Sequence, residues 1–142
     1  MSTYVREKVL RVPMERINMD YVKDIIVQKY PNENHEDDFS WYLESAFPDI
    51  FSYGTIGKFQ IAPTEENYID YVLDYEWDAD GGYGKTRALY DSEKKKYTKI
   101  FQQIDPDINM DFVRLVEFCW YNCCEAPDYY YDDEHDSFYD EV

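Results

Sequence analysis

The most strongly patterned stretch of the chain is YIDYVLDYEWD, residues 68–78. Apolar side chains alternate along it with mostly acidic ones. This alternation of period two is typical of a half-buried β-strand, which turns one face to the core and the other to water. A helix over residues 65–77 is the alternative, because residues 64–66, TEE, resemble a helix start. We favour the strand.

A glycine-rich turn follows the predicted strand. The run DADGGYGK, residues 78–85, contains Gly81 and Gly82, which readily adopt the positive φ angles of a hairpin turn. Residues 86–90, TRALY, are then expected to return as the partner strand of a hairpin.

The other elements are predicted from the same periodicities. Strands are predicted at 4–12 and 55–62, and helices at 19–30, 36–47, 91–104 and 109–124. Pro13 makes the first strand an edge strand, and Asn18 is the expected N-cap of the first helix. Residues 91–104 could also form a strand. The last helix is predicted from a broad apolar stripe.

These elements define the expected fold class. We predict a small single α+β domain over residues 1–126, with several helices packed on a short antiparallel sheet. Residues 127–142 are expected to form an acidic, Tyr-rich C-terminal tail.

Charge is concentrated in two parts of the chain. The net charge is −17, from 31 acidic and 14 basic residues among 142. Residues 31–82 carry 13 acidic residues and one basic residue, and residues 125–142 carry 8 acidic residues and no basic one. Such a charge excludes direct binding to nucleic acid, which requires Lys and Arg, and disfavours anionic membranes. The 19% aromatic content argues against a disordered chain.

The compartment follows from cysteine usage and from the N-terminus. Three cysteines, Cys119, Cys123 and Cys124, lie in one apolar stretch, which suits a reducing cytosol and buried thiols better than disulfides. The N-terminus resembles no signal peptide, and no apolar run is long enough to span a membrane. We therefore expect a cytoplasmic protein of a bacterial host cell.

Sequence motifs for cofactors are incomplete. Residues 79–86, ADGGYGKT, approach a phosphate-binding loop but have Ala79 in place of its first glycine. Residues 78–82 begin like a calcium loop, but Tyr83 and Leu89 occupy its glycine and glutamate positions. The cysteines with His135 lack the paired spacing of a zinc site. We expect no cofactor, no metal and no enzymatic activity.

The acids of the patterned strand form the first predicted binding surface. Alternate residues of a strand lie about 6.6–6.8 Å apart on one face, a spacing on the scale of neighbouring phosphates. A line of negative charge that imitates nucleic acid is therefore predicted for Asp70, Asp74, Glu76, Asp78 and Asp80.

The tail supplies a second predicted surface. Tyrosine rings interleaved with carboxylates can stack on Arg side chains and pair with them. The residues predicted to do so are Tyr129, Tyr130, Tyr131, Asp132, Asp133, Glu134 and Asp136.

These surfaces indicate a protein–protein function. We expect an inhibitor that imitates nucleic acid and blocks the basic groove of a host defence nuclease, of the anti-CRISPR or anti-restriction type, encoded by a phage or mobile element. An immunity protein against a nuclease toxin is the alternative, and an acidic accessory or structural protein is a third. The lysines of residues 94–99 could pair within the chain or with a second copy in a homodimer.

Overall fold

The structure is a computed structural model, and it describes residues 2–63, 65–77, 79 and 84–123. Five strands are present: β1 (Ser2–Pro13), β2 (Phe59–Ala62), β3 (Glu65–Glu76), β4 (Lys85–Ala88) and β5 (Arg114–Cys123). Three α-helices are present: α1 (Met19–Lys29), α2 (Phe39–Ala46) and α3 (Asp91–Phe101). Short 3₁₀ turns occupy Met14–Arg16 and Met110–Phe112.

The strands form one antiparallel sheet in the order β2-β3-β1-β5-β4. Three helices and this sheet make a small single-domain α+β fold, which confirms the predicted class. β3 confirms the strand predicted from the alternating stretch, and α3 confirms the helix favoured over a strand.

The position of β1 differs from the prediction. β1 is the central strand and pairs with both β3 and β5, so the edge-strand prediction is wrong. Pro13 is compatible with this position because it is the last residue of the strand, where few ladder hydrogen bonds follow. The predicted hairpin is also wrong, because β4 pairs with β5 while β1 and β2 occupy the two edges of β3.

The C-terminal element is a strand and not the predicted helix. β5 buries side chains on both of its faces: Val116, Phe118 and Trp120 on one, and Cys119 on the other. The sequence of a strand that is buried on both faces is a continuous apolar run. Such a run also contains apolar residues at helical spacing, so periodicity alone does not distinguish the strand from a helix.

All three helices contribute to a core on one face of the sheet. Leu10 and Val12 of β1 lie in the same buried cluster as Val22 and Ile26 of α1. Leu43 of α2 and Phe101 of α3 complete the helical side of this cluster. Asn18 caps α1 as predicted, since its side chain accepts a hydrogen bond from the Asp20 amide at 3.2 Å.

A β-bulge divides β3 into two parts, and the alternation of side chains between the two faces of the sheet is reversed after it. Val72 pairs with Val9, but the next pair is Asp74 with Lys8, so Leu73 is an extra residue on β3. One extra residue exchanges the two faces of a strand beyond it. Tyr75 therefore packs in a second cluster with Val72, on the face opposite to the helices.

Candidate partner-binding surface

Asp70 does not belong to an exposed acidic line. Its carboxylate is fully buried and accepts two hydrogen bonds from Arg11, at 2.7 Å from Nε and 3.0 Å from the second nitrogen. The prediction that Asp70 binds a partner is therefore wrong for this folded state. The pairing follows from strand register, because Asp70 lies directly opposite Arg11 in the β1–β3 ladder.

Asp74 and Glu76 are exposed, and their ladder partners on β1 are basic. Asp74 lies opposite Lys8 in the register, without an ion pair between their side chains among the described residues, and a carboxylate oxygen of Glu76 lies 3.6 Å from a guanidinium nitrogen of Arg6. The bulge places both acids on the face opposite to Asp70, so these three carboxylates do not form one line. Imitation of nucleic acid requires carboxylates without interrupting cations, and this part of β3 lacks that property.

The other predicted site residues lie outside the residues that the structure describes. They are Asp78, Asp80, Tyr129, Tyr130, Tyr131, Asp132, Asp133, Glu134 and Asp136. Their assignment to a binding surface stays a prediction.

A different acidic surface lies on the helical side of the fold. We define the acidic segment as residues 33–49, which comprise the α1–α2 connection, α2 and the turn after it. No Lys or Arg occurs between Lys29 and Lys58 in the sequence. The segment contains six acids, of which all but Glu44 are exposed: Glu33, Glu36, Asp37, Asp38, Glu44 and Asp49.

The cations at its borders are engaged with backbone oxygens. Lys29 donates to the Ala46 carbonyl at 2.7 Å, and Lys58 donates to the Asp49 carbonyl at 2.5 Å. Among the described residues, no ion pair includes an acid of this segment. Its negative charge is therefore presented to solvent.

Local hydrogen bonds hold the α1–α2 connection in place. The Asn34 side chain accepts from the Glu36 amide and donates to the Asp37 carboxylate, both at 3.1 Å. A ring nitrogen of His35 lies 2.6 Å from the Tyr30 carbonyl. The pKa of Tyr42 is raised, mainly by partial burial of its side chain and to a smaller extent by the negative charge of Glu33 and by the hydrogen bond between Tyr42 and Glu33. The acids are thus carried on an ordered turn.

Aromatic side chains accompany the acids. Trp41 is 55% exposed and lies 5.6 Å from Tyr30 and 5.0 Å from Tyr42, measured between ring centroids. His35 packs edge-on against Tyr42 at 4.9 Å. An exposed indole that is held by other rings offers a rigid surface to a partner at little cost in conformational entropy.

A shallow groove of about 320 Å³ adjoins this cluster. Its lining residues come from α1 and the following connection: Lys23, Ile26, Val27, Glu33, Asn34, His35, Glu36 and Phe39. Val27 is 50% exposed there. The surface thus combines a groove of mixed polarity, which includes Lys23, with an exposed indole and with carboxylates that form no ion pair among the described residues.

The sequence contains a signal for this surface, namely the uninterrupted absence of cations between Lys29 and Lys58. The strand of residues 68–78 has the more regular spacing, but regular spacing does not show which acids face a cation on the neighbouring strand. That information lies in the register of β1 against β3.

Two of the remaining candidate features have a structural role. Cys119 is a buried side chain, as expected of an apolar cysteine. Lys94 pairs within the chain, with Asp111 at 2.7 Å. No cluster of three metal-ligating side chains occurs among the described residues.

Comparison with known proteins gives no relative: no protein-family model, no curated protein and no solved structure matches this chain. None of the helices in the described part of the chain is long and apolar enough to cross a membrane.

Proposed function

We propose that the protein inhibits a nucleic-acid-binding protein by occupying its basic groove with the acidic segment of residues 33–49. The target class is a nuclease or its effector complex, of the kind used in host defence, and the site of action is the bacterial cytoplasm. The observation that supports the proposal is the set of exposed acids between Lys29 and Lys58 that form no ion pair among the described residues.

Electrostatics explain why such a surface would compete with nucleic acid. A groove that binds phosphates is lined with Lys and Arg, and these residues attract carboxylates by the same long-range field. Charge-assisted hydrogen bonds from Arg to Asp or Glu then replace those to phosphate. Association is expected to be fast and sensitive to salt.

Trp41 supplies the apolar part of the contact. Arg stacks on aromatic faces, and Trp is the most favourable of them. Trp41 is therefore expected to stack on a guanidinium of the target while neighbouring carboxylates pair with it. This arrangement resembles the way in which an Arg-rich groove holds a base beside its phosphate.

The proposal is tested with a charge-reversal variant and a matched control. Lysine replaces Glu36, Asp38 and Asp49, which are exposed and whose side chains have no ion pair among the described residues. In the control, lysine replaces the exposed Glu15, Glu66 and Asp107, so both variants change the net charge equally.

Affinity capture from bacterial lysates, at about 0.1 M and about 0.5 M salt, identifies partners whose binding is electrostatic. We expect the wild type and the control to capture a nuclease at the lower salt and to inhibit its cleavage of DNA or RNA. The reversal variant should fail in both assays. Equal inhibition by the reversal variant and the control would contradict the proposal.

A further inference from the structure

The first half of the loop of residues 52–58 lies over the sheet face that faces away from the helices, whereas Gly57 and Lys58 hydrogen-bond to the backbone of Val72 in β3. Gly54 donates its amide to the Gln60 side-chain oxygen at 2.8 Å. A β-carbon on Gly54 would lie 3.1 Å from the Tyr75 ring, so the backbone passes close to that ring. The Tyr53 ring lies 6.5 Å from the Trp120 ring.

Gln60 connects this loop to a buried carboxylate. Its amide nitrogen donates to one oxygen of Glu7 at 2.7 Å, and the Trp120 indole donates to the other oxygen at 2.6 Å. Glu7 and Gln60 are fully buried, and Trp120 is 8% exposed. One continuous chain of hydrogen bonds therefore joins the loop to β2, β1 and β5.

Among the described residues, no ion pair includes Glu7. On β1, Arg11 is bound through two nitrogens to Asp70 of β3, so this pair is neutral as a whole. Tyr75 of β3 is a further titratable group beside Glu7, and the side chains that bind the carboxylate from β2 and β5, Gln60 and Trp120, are uncharged. Burial raises the pKa of Glu7 to about 7, although both hydrogen bonds lower it.

We propose that proton binding at Glu7 controls how firmly the loop of residues 52–58 stays packed on the sheet. With Glu7 neutral, the closed loop covers no charge. With Glu7 ionised, the closed loop covers a carboxylate that water solvates better than two neutral donors do. The loop therefore opens more often as the pH rises through neutrality.

Linkage gives the size of this effect. When the loop is open and Glu7 is solvated, its pKa returns toward the ordinary value of 4.5, against about 7 in the closed state. The ratio of open to closed molecules is then expected to rise by about one to two orders of magnitude between pH ~5 and pH ~8. Most of the rise falls below pH ~7, where the closed state still binds the proton and the open state does not.

Amide hydrogen exchange, detected by NMR, tests the proposal on the full chain. The readout is the protection factor of the Gly54 amide, which is already corrected for the intrinsic pH dependence of exchange. It is expected to fall by the same one to two orders of magnitude, roughly, between pH ~5 and pH ~8 in the wild type. The Glu7→Gln variant keeps a neutral side chain of the same shape and should show no fall.

A second amide separates local opening of the loop from global unfolding. The Asp105 amide, bonded to the Phe101 carbonyl at 3.1 Å, reports on the helical layer. Global unfolding also exposes Glu7 to water, so the Asp105 protection factor shares this pH dependence, but it must exceed that of Gly54 at both pH values. Equal protection factors at Asp105 and Gly54 would indicate exchange through global unfolding and overturn the proposal.

A direct titration keeps the proposal falsifiable should Glu7→Gln fold poorly. The carboxyl carbon of Glu7 and the indole proton of Trp120 should titrate together in the wild type, with a midpoint near 7. A Glu7 midpoint below about 5, close to the value of a solvated glutamate, would overturn it. A Gly54 protection factor that stays constant over this pH range would do the same.

Discussion

Arg11 lies directly opposite Asp70 across the β1–β3 ladder and binds both oxygens of its carboxylate, at 2.7 and 3.0 Å. Arg11 is 7% exposed and Asp70 is fully buried. The guanidinium also lies 4.8 Å from the centre of the Phe118 ring and 5.6 Å from that of Tyr68. The two opposite charges compensate each other in this buried position, where burial of either charge alone would be strongly unfavourable.

Removal of Arg11 is expected to destabilise the fold strongly. Arg11→Met leaves the Asp70 carboxylate buried without its cation, and we expect the free energy of unfolding to fall by about 3–5 kcal/mol. Urea unfolding at neutral pH measures this loss. The double variant Arg11→Met/Asp70→Leu should recover much of it, because no buried charge then remains.

Lys94→Met provides the control, since it removes a cation from a partly exposed pair. Lys94 lies 2.7 Å from Asp111, whose side chain is 69% exposed. Its loss should cost only a small fraction of the Arg11 effect, because water solvates the remaining carboxylate. Equal losses for Arg11→Met and Lys94→Met would mean that the Arg11–Asp70 pair is not buried in solution.

Stability should also depend on pH through Glu7. Its pKa is about 7 in the folded chain against an ordinary value of 4.5, so the folded state binds the proton more tightly. The contribution of Glu7 to the free energy of unfolding is therefore largest below pH ~4.5, falls as the pH rises, and is lost above pH ~7. Between these two limits the free energy of unfolding changes by about 3 kcal/mol through Glu7. Urea unfolding measures this change at pH ~5 and pH ~8. The pH-dependent change in the free energy of unfolding of Glu7→Gln is subtracted from that of the wild type.

Other acids titrate in the same range, so only the comparison between the two proteins is informative. The Glu7→Gln variant should gain stability relative to wild type on going from pH ~5 to pH ~8. A constant difference between them would mean that Glu7 has an ordinary pKa in the folded protein.

The sequence predicts the elements of this fold better than their arrangement. The helix capped by Asn18 and the alternating strand β3 are local features with local signals, and both are correct. The strand β5 is misread as a helix because burial on both faces removes the alternation. The position of β1 is missed because pairing depends on contacts between residues far apart in the chain.

The same limit applies to the binding surface. A list of acids along β3 does not show that Asp70 meets Arg11, nor that an extra residue at Leu73 exchanges the two faces. A bulge has no reliable local signature in this stretch, since Leu73 continues the alternation of period two. Only the register of two strands distinguishes paired acids from free ones.

Gly54 and Gly57 offer a matched test of loop packing. Both have positive φ angles, of 64° and 83°, so alanine incurs a similar backbone cost of about 1–2 kcal/mol at either position. A β-carbon on Gly54 meets the Tyr75 ring at 3.1 Å, whereas on Gly57 the nearest atom is 3.9 Å away. Gly54→Ala should therefore lower the thermal midpoint more than Gly57→Ala does.

Hydrogen exchange of the Trp120 indole shows whether the loop itself is displaced. Gly54→Ala should accelerate this exchange because the loop covers the Gln60–Glu7–Trp120 hydrogen bonds. Gly57→Ala should change it much less. Identical midpoints and exchange rates for both variants would mean that Gly54 does not approach Tyr75 closely in solution.

Trp41 is expected to be the main contact residue if the acidic segment binds a basic partner. Its side chain is 55% exposed, and Tyr30 and Tyr42 support the ring. Trp41→Ala should weaken binding of the captured nuclease by about tenfold or more, which corresponds to at least ~1.4 kcal/mol. Isothermal titration calorimetry at about 0.15 M salt measures the affinity.

Trp77→Ala is the matched control, because Trp77 is 48% exposed but lies at the end of β3, where it stacks on Tyr75 with 6.4 Å between ring centroids. Loss of this indole should leave the affinity within about twofold of wild type, since it removes no contact of the acidic segment.

A combination of Trp41→Ala with the Glu36, Asp38 and Asp49 reversals should weaken binding by less than the product of the separate effects. Stacking and ion pairing on one guanidinium are coupled, and coupled contacts are not additive. Full additivity would place Trp41 and the three acids on separate contacts.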